Sequence, residues 1–347
     1  MRRRLNVTSR HLCMVIMFLT MMSAFGTNAH AQTKLTAQSV MKFLNLTVGA
    51  RSAALGGGAL FSTPDASLHF LNPAGLVHLK GASVFMDHNQ WIADIRQVSI
   101  AYTQPLGARF VIGAGMITMD YGDIPGTEIA MVTGGMSGNR EYISTGQVAV
   151  NQYAVSTSLA IRISSQFSVG GQVKYAFSSL GRSHIVLAGD TTLVDNQLGA
   201  IAFDLGTQFL TDYRGVLFYM SLRNFAREQA YPKITQTYNL PLEFTLGAGL
   251  DLLRLTSWMP ANHSLMLSFA GTHPIDYIEK YSMGLEYALR QSFFLRGGYR
   301  LNSGLEDWSM GVGLRKRIGP RYIAFDYSFG NTQYFSGTHR FSLSWGG

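Results

Sequence analysis

The chain has 347 residues, with 28 basic and 20 acidic side chains, 37 glycines and a single cysteine. Charged residues make up only 14 % of it, against roughly a quarter in a soluble domain, and one cysteine excludes a disulfide framework. Beyond residue 31 no run of about 18 uncharged apolar residues occurs, which excludes a helical membrane span.

Arg2, Arg3, Arg4 and Arg10 precede an apolar run from Leu12 to Phe25, and Ala29-His30-Ala31 follows as a small-x-small site. This is the pattern of an export signal over residues 1–31, with cleavage expected after Ala31. The run is too short for a spanning helix, which needs roughly 20 residues. Its removal takes away four arginines and no acid, leaving 24 basic against 20 acidic residues. Those 24 are mostly scattered, so no nucleic-acid partner is expected. Cys13 leaves with the signal, and Ser9-Arg10-His11-Leu12 before it is not a lipoprotein box.

Residues 32–79 are too ordered in composition for a tail and read as a hatch, or plug, ahead of the first strand. Leu35 to Leu46 suits a short helix or strand, and the run from Gly49 through Arg51 to Gly56, Gly57 and Gly58 is small enough to pack against a wall. Asp65-Ala66-Ser67 offers a side-chain oxygen to cap a short helix. Asn72, Pro73 and Ala74 open a rigid turn that runs to Leu76. Arg51 and Asp65 are the strong charges between Phe43 and Leu76; in a buried plug each needs a partner, so both are expected to hold the plug and to act in gating it.

From residue 80 the pattern changes to period 2. Tyr153, Val155, Thr157, Leu159 and Ile161 alternate with Gln152, Ala154, Ser156, Ser158 and Ala160, and Tyr281, Met283, Leu285 and Tyr287 alternate with Ser282, Gly284, Glu286 and Ala288. Fourteen such segments begin near residues 81, 96, 108, 151, 167, 197, 215, 242, 262, 280, 292, 307, 321 and 337. A soluble sandwich also alternates, but here the apolar face is crowded on nearly every strand and leaves no solvated side. Connections alternate as well. Gln104 to Gly107, Ser164 to Gln166 and Arg290 to Ser292 are tight, while Tyr121 to Val150, Gly181 to Asp195 and Ala226 to Leu240 are long. Residues 80–347 are therefore expected to form an all-β, 14-stranded antiparallel transmembrane barrel, as in a bacterial outer membrane, with lipid around it.

The second face is mostly Gly, Ala, Ser and Thr, punctuated by Arg162, Lys174, Asp204, Arg223, Asp251, Glu286, Arg290, Arg296, Arg300, Arg315 and Asp326. These are expected to point into the lumen and to pair across it. Catalytic signals are absent: the triple glycine lacks the Lys-Ser or Lys-Thr of a phosphate loop, and no serine sits in a nucleophile elbow. The histidines show no pair at i, i+4 and the mature chain has no thiol, so neither a metal nor a cofactor is expected.

The run FLNLTVGARSAALGGGALFSTPDASLHFLNPAGL, Phe43 to Leu76, closely resembles the N-terminal signature of the PorV/PorQ family, which belongs with the FadL-like fatty-acid channels. Asn72-Pro73-Ala74 matches the hatch motif of that superfamily. The resemblance continues through Leu240 to Phe244, Phe293 to Arg300 and Thr338 to Trp345, with FLNL and SAALGG slightly closer to the PorQ type. It implies an outer-membrane barrel, plugged by its own N-terminus, that serves type IX secretion. PorV-type members receive cargo bearing a C-terminal signal domain, and PorQ-type members form part of the surface attachment machinery. Secretion components or cargo are thus the implied partners, contacted through long loops such as Tyr121 to Val150 with Met131, Met136 and Tyr142. The alternative is a FadL-like channel for a hydrophobic small-molecule ligand, a reading supported by the apolar hatch residues Phe61, Phe70 and Leu71. The chain departs from barrels that end on an aromatic residue, since Gly346-Gly347 follows Trp345.

Overall fold

The computed structural model describes residues 39–58, 64–131, 140–187, 190–231, 236–255 and 262–347. The expected export signal lies outside them, as do Phe61 and Met136. Sixteen strands follow one another: β1 (Ser83–Gln90), β2 (Arg96–Leu106), β3 (Phe110–Asp120), β4 (Pro125–Met131), β5 (Arg140–Gln147), β6 (Asn151–Arg162), β7 (Phe167–Leu187) and β8 (Asp190–Leu210) form the first half. The second half comprises β9 (Leu217–Ala226), β10 (Glu243–Asp251), β11 (His263–Pro274), β12 (Lys280–Leu289), β13 (Phe293–Leu301), β14 (Glu306–Ile318), β15 (Arg321–Thr332) and β16 (Thr338–Gly346).

All of them except β4 and β5 join one closed antiparallel ring of 14 strands. Each pairs with its neighbour in sequence, and β16 returns to β1 with Ser83 opposite Gly346 and Gln90 opposite His339. The alternation dictates the ring: β6 and β16 are buried at every second residue, with Val155, Leu159, Phe341 and Leu343 exposed outward and Ala154, Ser158, Arg340 and Ser342 buried inward. In lipid every backbone N–H and C=O must be paired within the protein, and only a closed sheet has no edge left over.

One rim carries the short connections 107–109, 163–166, 211–216, 290–292 and 319–320, together with the start of β1 and the end of β16. We call this the turn rim, the periplasmic side in bacterial barrels; the opposite end is the loop rim. The turn at Leu289–Ser292 is tight because Arg290 and Gln291 both adopt positive φ, 53° and 52°, and Ser292 N donates to Leu289 O at 3.0 Å.

Two of the expected loops contain strand. Within the span 121–150, β4 pairs with β5 as a separate two-stranded sheet, and β7 and β8 run on past the ring as 21-residue strands that pair to Leu187 and Asp190 across a register shift between Ser179 and Arg182. Both regions lie beyond the paired span of the ring, where nothing imposes the one-sided apolar alternation that marks its strands.

Residues 39–58 and 64–79 lie against the inner wall, and glycines make the approach possible. A Cβ on Gly298 would stand 2.2 Å from Gly56 N and 2.5 Å from Leu55 C; one on Gly170 would stand 2.4 Å from Ala74 N. These neighbours are backbone and cannot rotate away. Gly298→Ala should therefore cost about 1–3 kcal/mol by overpacking, read as a lower urea midpoint of the detergent-folded barrel. A midpoint equal to that of the wild type would mean that the segment shifts freely.

Candidate functional site

The leading segment enters at the loop rim. Val40 N donates to Asn239 O at 3.0 Å, and Ser39 Oγ and Lys42 Nζ both donate to the Asp276 carboxylate. Burial alone would raise the pKa of Asp276, but these two hydrogen bonds and the Lys42 charge outweigh it and hold the carboxyl below the usual range. A 3₁₀ turn at Lys42–Asn45 then tucks Phe43 and Leu44 into an apolar cluster with Phe70, Phe85, Ile117 and Met119.

The next anchor is α1 (Ala50–Ala54). Five small or straight-chain residues form a helix that is too short to stand alone, so the wall completes its hydrogen bonding. Gly49 N donates to Asp87 Oδ2 at 3.2 Å and Ala50 N to Ser342 Oγ at 2.7 Å. At the other end Gly56 and Gly57 adopt positive φ, 69° and 83°, which turns the chain back so that Gly57 N reaches Ser52 O at 2.8 Å. The remaining carbonyls go to the wall: Ser309 Oγ donates to Ala54 O at 3.1 Å and Arg300 Nε to Gly56 O at 2.7 Å.

Asp65 starts the next piece as an Asx turn, its Oδ1 accepting from Ser67 N at 2.8 Å, and leads into α2 (Leu68–Leu71). His69 is fully buried between the wall hydroxyls Ser158 Oγ at 2.8 Å and Ser156 Oγ at 2.7 Å, with Gln172 Nε2 also at 2.8 Å. Asn72 caps the 3₁₀ helix Pro73–His78, accepting from Ala74 N at 3.0 Å, with proline at the first helical position where no N–H is missed. Its amide also donates to Thr207 O and Met220 O, both at 3.2 Å, and so spans β8 and β9. Ser168 Oγ holds Ala74 O at 3.0 Å, and Arg162 donates to Val77 O.

Most of the expected inward charges meet. Arg51 reaches Glu286 through two donors at 3.0 and 3.1 Å, and Glu286 is shared with Arg296 at 2.7 Å, which continues to Asp326. Lys174 pairs with Asp204 at 2.6 Å, Arg223 with Glu243 at 2.5 Å and Arg300 with Glu306 at 2.8 Å. Arg315 stacks over Tyr322 at 4.2 Å.

Two residues differ from expectation. Arg290 lies exposed in its turn, because the positive φ at the end of β12 swings it out of the ring's alternation. Asp251 pairs across nothing; it accepts from Leu253 N and Leu265 N and meets Arg254 at 3.6 Å, closing the turn after β10. Glu243, Glu306, Arg340 and His69 are functional neighbours that the sequence reading missed. Arg340 sits at an inward position of β16, so alternation could have found it; His69 carries no such mark.

Between segment and wall, toward the loop rim, lies a cavity of about 130 Å³. Asn45, Thr47, Ser221, Arg223, Glu243, Lys280 and Arg300 line it, with Leu71 as an apolar edge. Phe70, by contrast, is spent on packing. Among the described residues no group of His, Cys, Asp or Glu side chains is arranged to hold a metal ion.

Residues 138–345, more than half of the chain, match the family model described as type IX secretion system membrane protein PorP/SprF. Among solved structures the chain resembles the toluene transporter TbuX of Ralstonia pickettii, at 16 % identity and a TM-score of 0.53 over 87 % of this chain and 98 % of that one. It also resembles the toluene transporter TodX of Pseudomonas putida, at 13 % identity and a TM-score of 0.56 over 86 % and 97 %. A FadL homologue of Pseudomonas aeruginosa gives 12 % identity and a TM-score of 0.53 over 86 % and 98 %. At such identities the likeness is one of fold alone. Comparison with curated protein sequences finds no match.

Arg51→Ala removes one partner from a buried network. The cost should lie near about 3 kcal/mol, the low end for such a deletion, because Arg296 still neutralises Glu286. Its direct readout is conductance: in planar bilayers the assembled variant should open more often than the wild type, and cells carrying it should admit large antibiotics more readily. Unchanged permeability in a properly folded variant would remove Arg51 from any role in keeping the lumen shut.

Proposed function

The chain belongs to the PorP/SprF family of type IX secretion system membrane proteins, and from that premise we propose that it is a plugged barrel that binds or shuttles secreted cargo at the loop rim, on the way to surface attachment. The observation that carries this reading is the filled lumen. Residues 39–58 and 64–79 act as a hatch, anchored along the wall by Ser342, Glu286, Arg300, Ser168 and the β8 and β9 carbonyls. With the hatch seated in this way, the rims become the working surfaces. On the loop rim the β4–β5 pair and the long β7–β8 pair extend beyond the ring and offer a partner more surface than the short turns do. Met131 and Tyr142 lie on that first pair.

The narrower placement with the PorV/PorQ type rests on Phe43 to Leu76, a run that lies ahead of the matched residues 138–345. Gly49, Arg51, Gly56 to Gly58, Asp65 and Asn72 to Ala74 would in that case set whether the hatch holds or releases. A second reading, a channel for hydrophobic small molecules, draws on the shared fold with the toluene transporters. The cavity beside the hatch weighs against it: charged Arg223, Glu243, Lys280 and Arg300 face the space that an apolar ligand would fill, and stripping water from such groups without replacing it is costly.

Affinity purification of the tagged, detergent-extracted barrel from its native membrane separates the two. Secretion components or cargo with C-terminal signal domains should co-purify, and replacing residues 125–147 with a short linker should cut their recovery about tenfold (about 1.4 kcal/mol of binding or more) while the barrel still folds. Recovery of bound hydrophobic small molecules with no secretion component would favour the channel and sink the cargo reading.

A further inference from the structure

The exposed cations of this barrel crowd one of its two rims. On the turn rim Arg109, Arg214, Arg254 and Arg290 are exposed, each on a different connection. The β14–β15 turn adds Lys316, Arg317 and Arg321, and the lead-in to β1 adds Lys80, all exposed as well. Acids at that rim are Asp212 and Asp251, the latter buried and 3.6 Å from Arg254. The loop rim is mixed: Asp94, Asp120, Asp123, Asp195 and Glu228 are exposed there, but so are Lys42, Arg96, Arg182 and Arg227, and Arg96 meets Asp120 at 4.0 Å and Arg182 meets Asp195 at 2.8 Å. The net formal charge of +8 for the whole chain does not show that the surplus sits at one end.

Aromatic rings mark the level at which the turn-rim cations sit. Arg214 lies 5.8 Å from the centroid of Tyr213, and Arg321 lies 4.7 Å from that of Trp345. Tyr213 is 65 % exposed and Ile318, on the β14–β15 turn, 61 %. Tyr and Trp with one apolar and one wet side belong at the boundary between hydrocarbon and headgroup. A guanidinium held over such a ring is therefore placed at phosphate depth. The cations also encircle the barrel, with connection 163–166 the one short turn that lacks one. A folded protein partner docks on one face; a ring with cations on nearly every turn fits something that surrounds the barrel.

We propose that the turn rim is a binding ring for anionic phospholipid headgroups, which gathers negatively charged lipid from the leaflet that it meets and fixes the depth and orientation of the barrel. Arginine suits the role because its fork pairs with a phosphodiester through two donors. The ring is independent of the cargo reading, since none of its residues lies on the loop rim.

The test reconstitutes the full chain in vesicles of phosphatidylglycerol and phosphatidylcholine in equal amounts, and measures by native mass spectrometry which lipids stay bound. The wild type should retain phosphatidylglycerol in excess. A variant combining Arg214→Gln, Arg290→Gln, Lys316→Gln, Arg317→Gln and Arg321→Gln should lose that excess about fivefold or more, as expected for cations at an anionic surface. The matching Arg→Lys variant should keep most of it, which separates lost charge from a damaged turn. Equal retention by wild type and the glutamine variant would overturn the proposal. So would displacement of the lipid by inorganic phosphate beyond that by chloride at matched ionic strength, which would mark a site for the free ion. If lipid retention is unchanged while binding of a polyglutamate probe is lost, the ring serves an acidic polypeptide and the proposal falls.

Discussion

The backbone-to-backbone approach of residues 49–58 and 72–78 to the inner wall is the constraint that the rest of the molecule serves. It requires small residues on both sides of the contact. It explains why glycines cluster at inward positions of β13 and β7 where a Cβ would collide with Gly56 or Ala74. It also explains why the short helices of the leading segment survive: α1 alone could not pay for its own nucleation, but wall hydroxyls and Arg300 take up the hydrogen bonds that its ends leave open.

Charge follows from the same constraint. Ionised groups buried between the leading segment and the wall are shielded from solvent, so each needs a counter-ion within reach. Glu286 shows how economically this is arranged, since one carboxylate from the wall receives Arg51 from the leading segment and Arg296 from the adjacent strand. The leading segment is therefore part of the electrostatic balance of the wall and not merely an obstruction placed within it. Where the contact loosens, toward the loop rim, the space is lined by Arg223, Glu243, Lys280 and Arg300. Polarity, more than size, sets what such a space admits.

The sequence shows the ring because lipid imposes a rule on it: a strand wetted by hydrocarbon on one side must alternate, and all fourteen ring strands do so or nearly do so. Where lipid is absent the rule lapses. β4 and β5, with Gly126, Gly146 and mixed polar residues, read as loop because nothing outside the ring demands an apolar face. Register has a similar limit. Alternation points Arg296 and Asp326 inward, and both are buried, yet it gives no guide at Arg290, where the strand has already ended and a positive φ redirects the side chain. The need of Arg51 for a partner is legible from its surroundings, but Glu286 stands 235 residues away, and only the closed ring brings the two together. Glu306 escapes notice because it follows the Asn302-Ser303-Gly304 turn, where the parity of the next strand is not yet set.

The seam between β1 and β16 carries a third partner. Ser342, on the strand that completes the ring, accepts from Ala50 and donates to Asp87, so the two strands that close the barrel and the segment inside it meet at one hydroxyl. Whatever loosens that hydroxyl loosens the seam and the seating of the leading segment together.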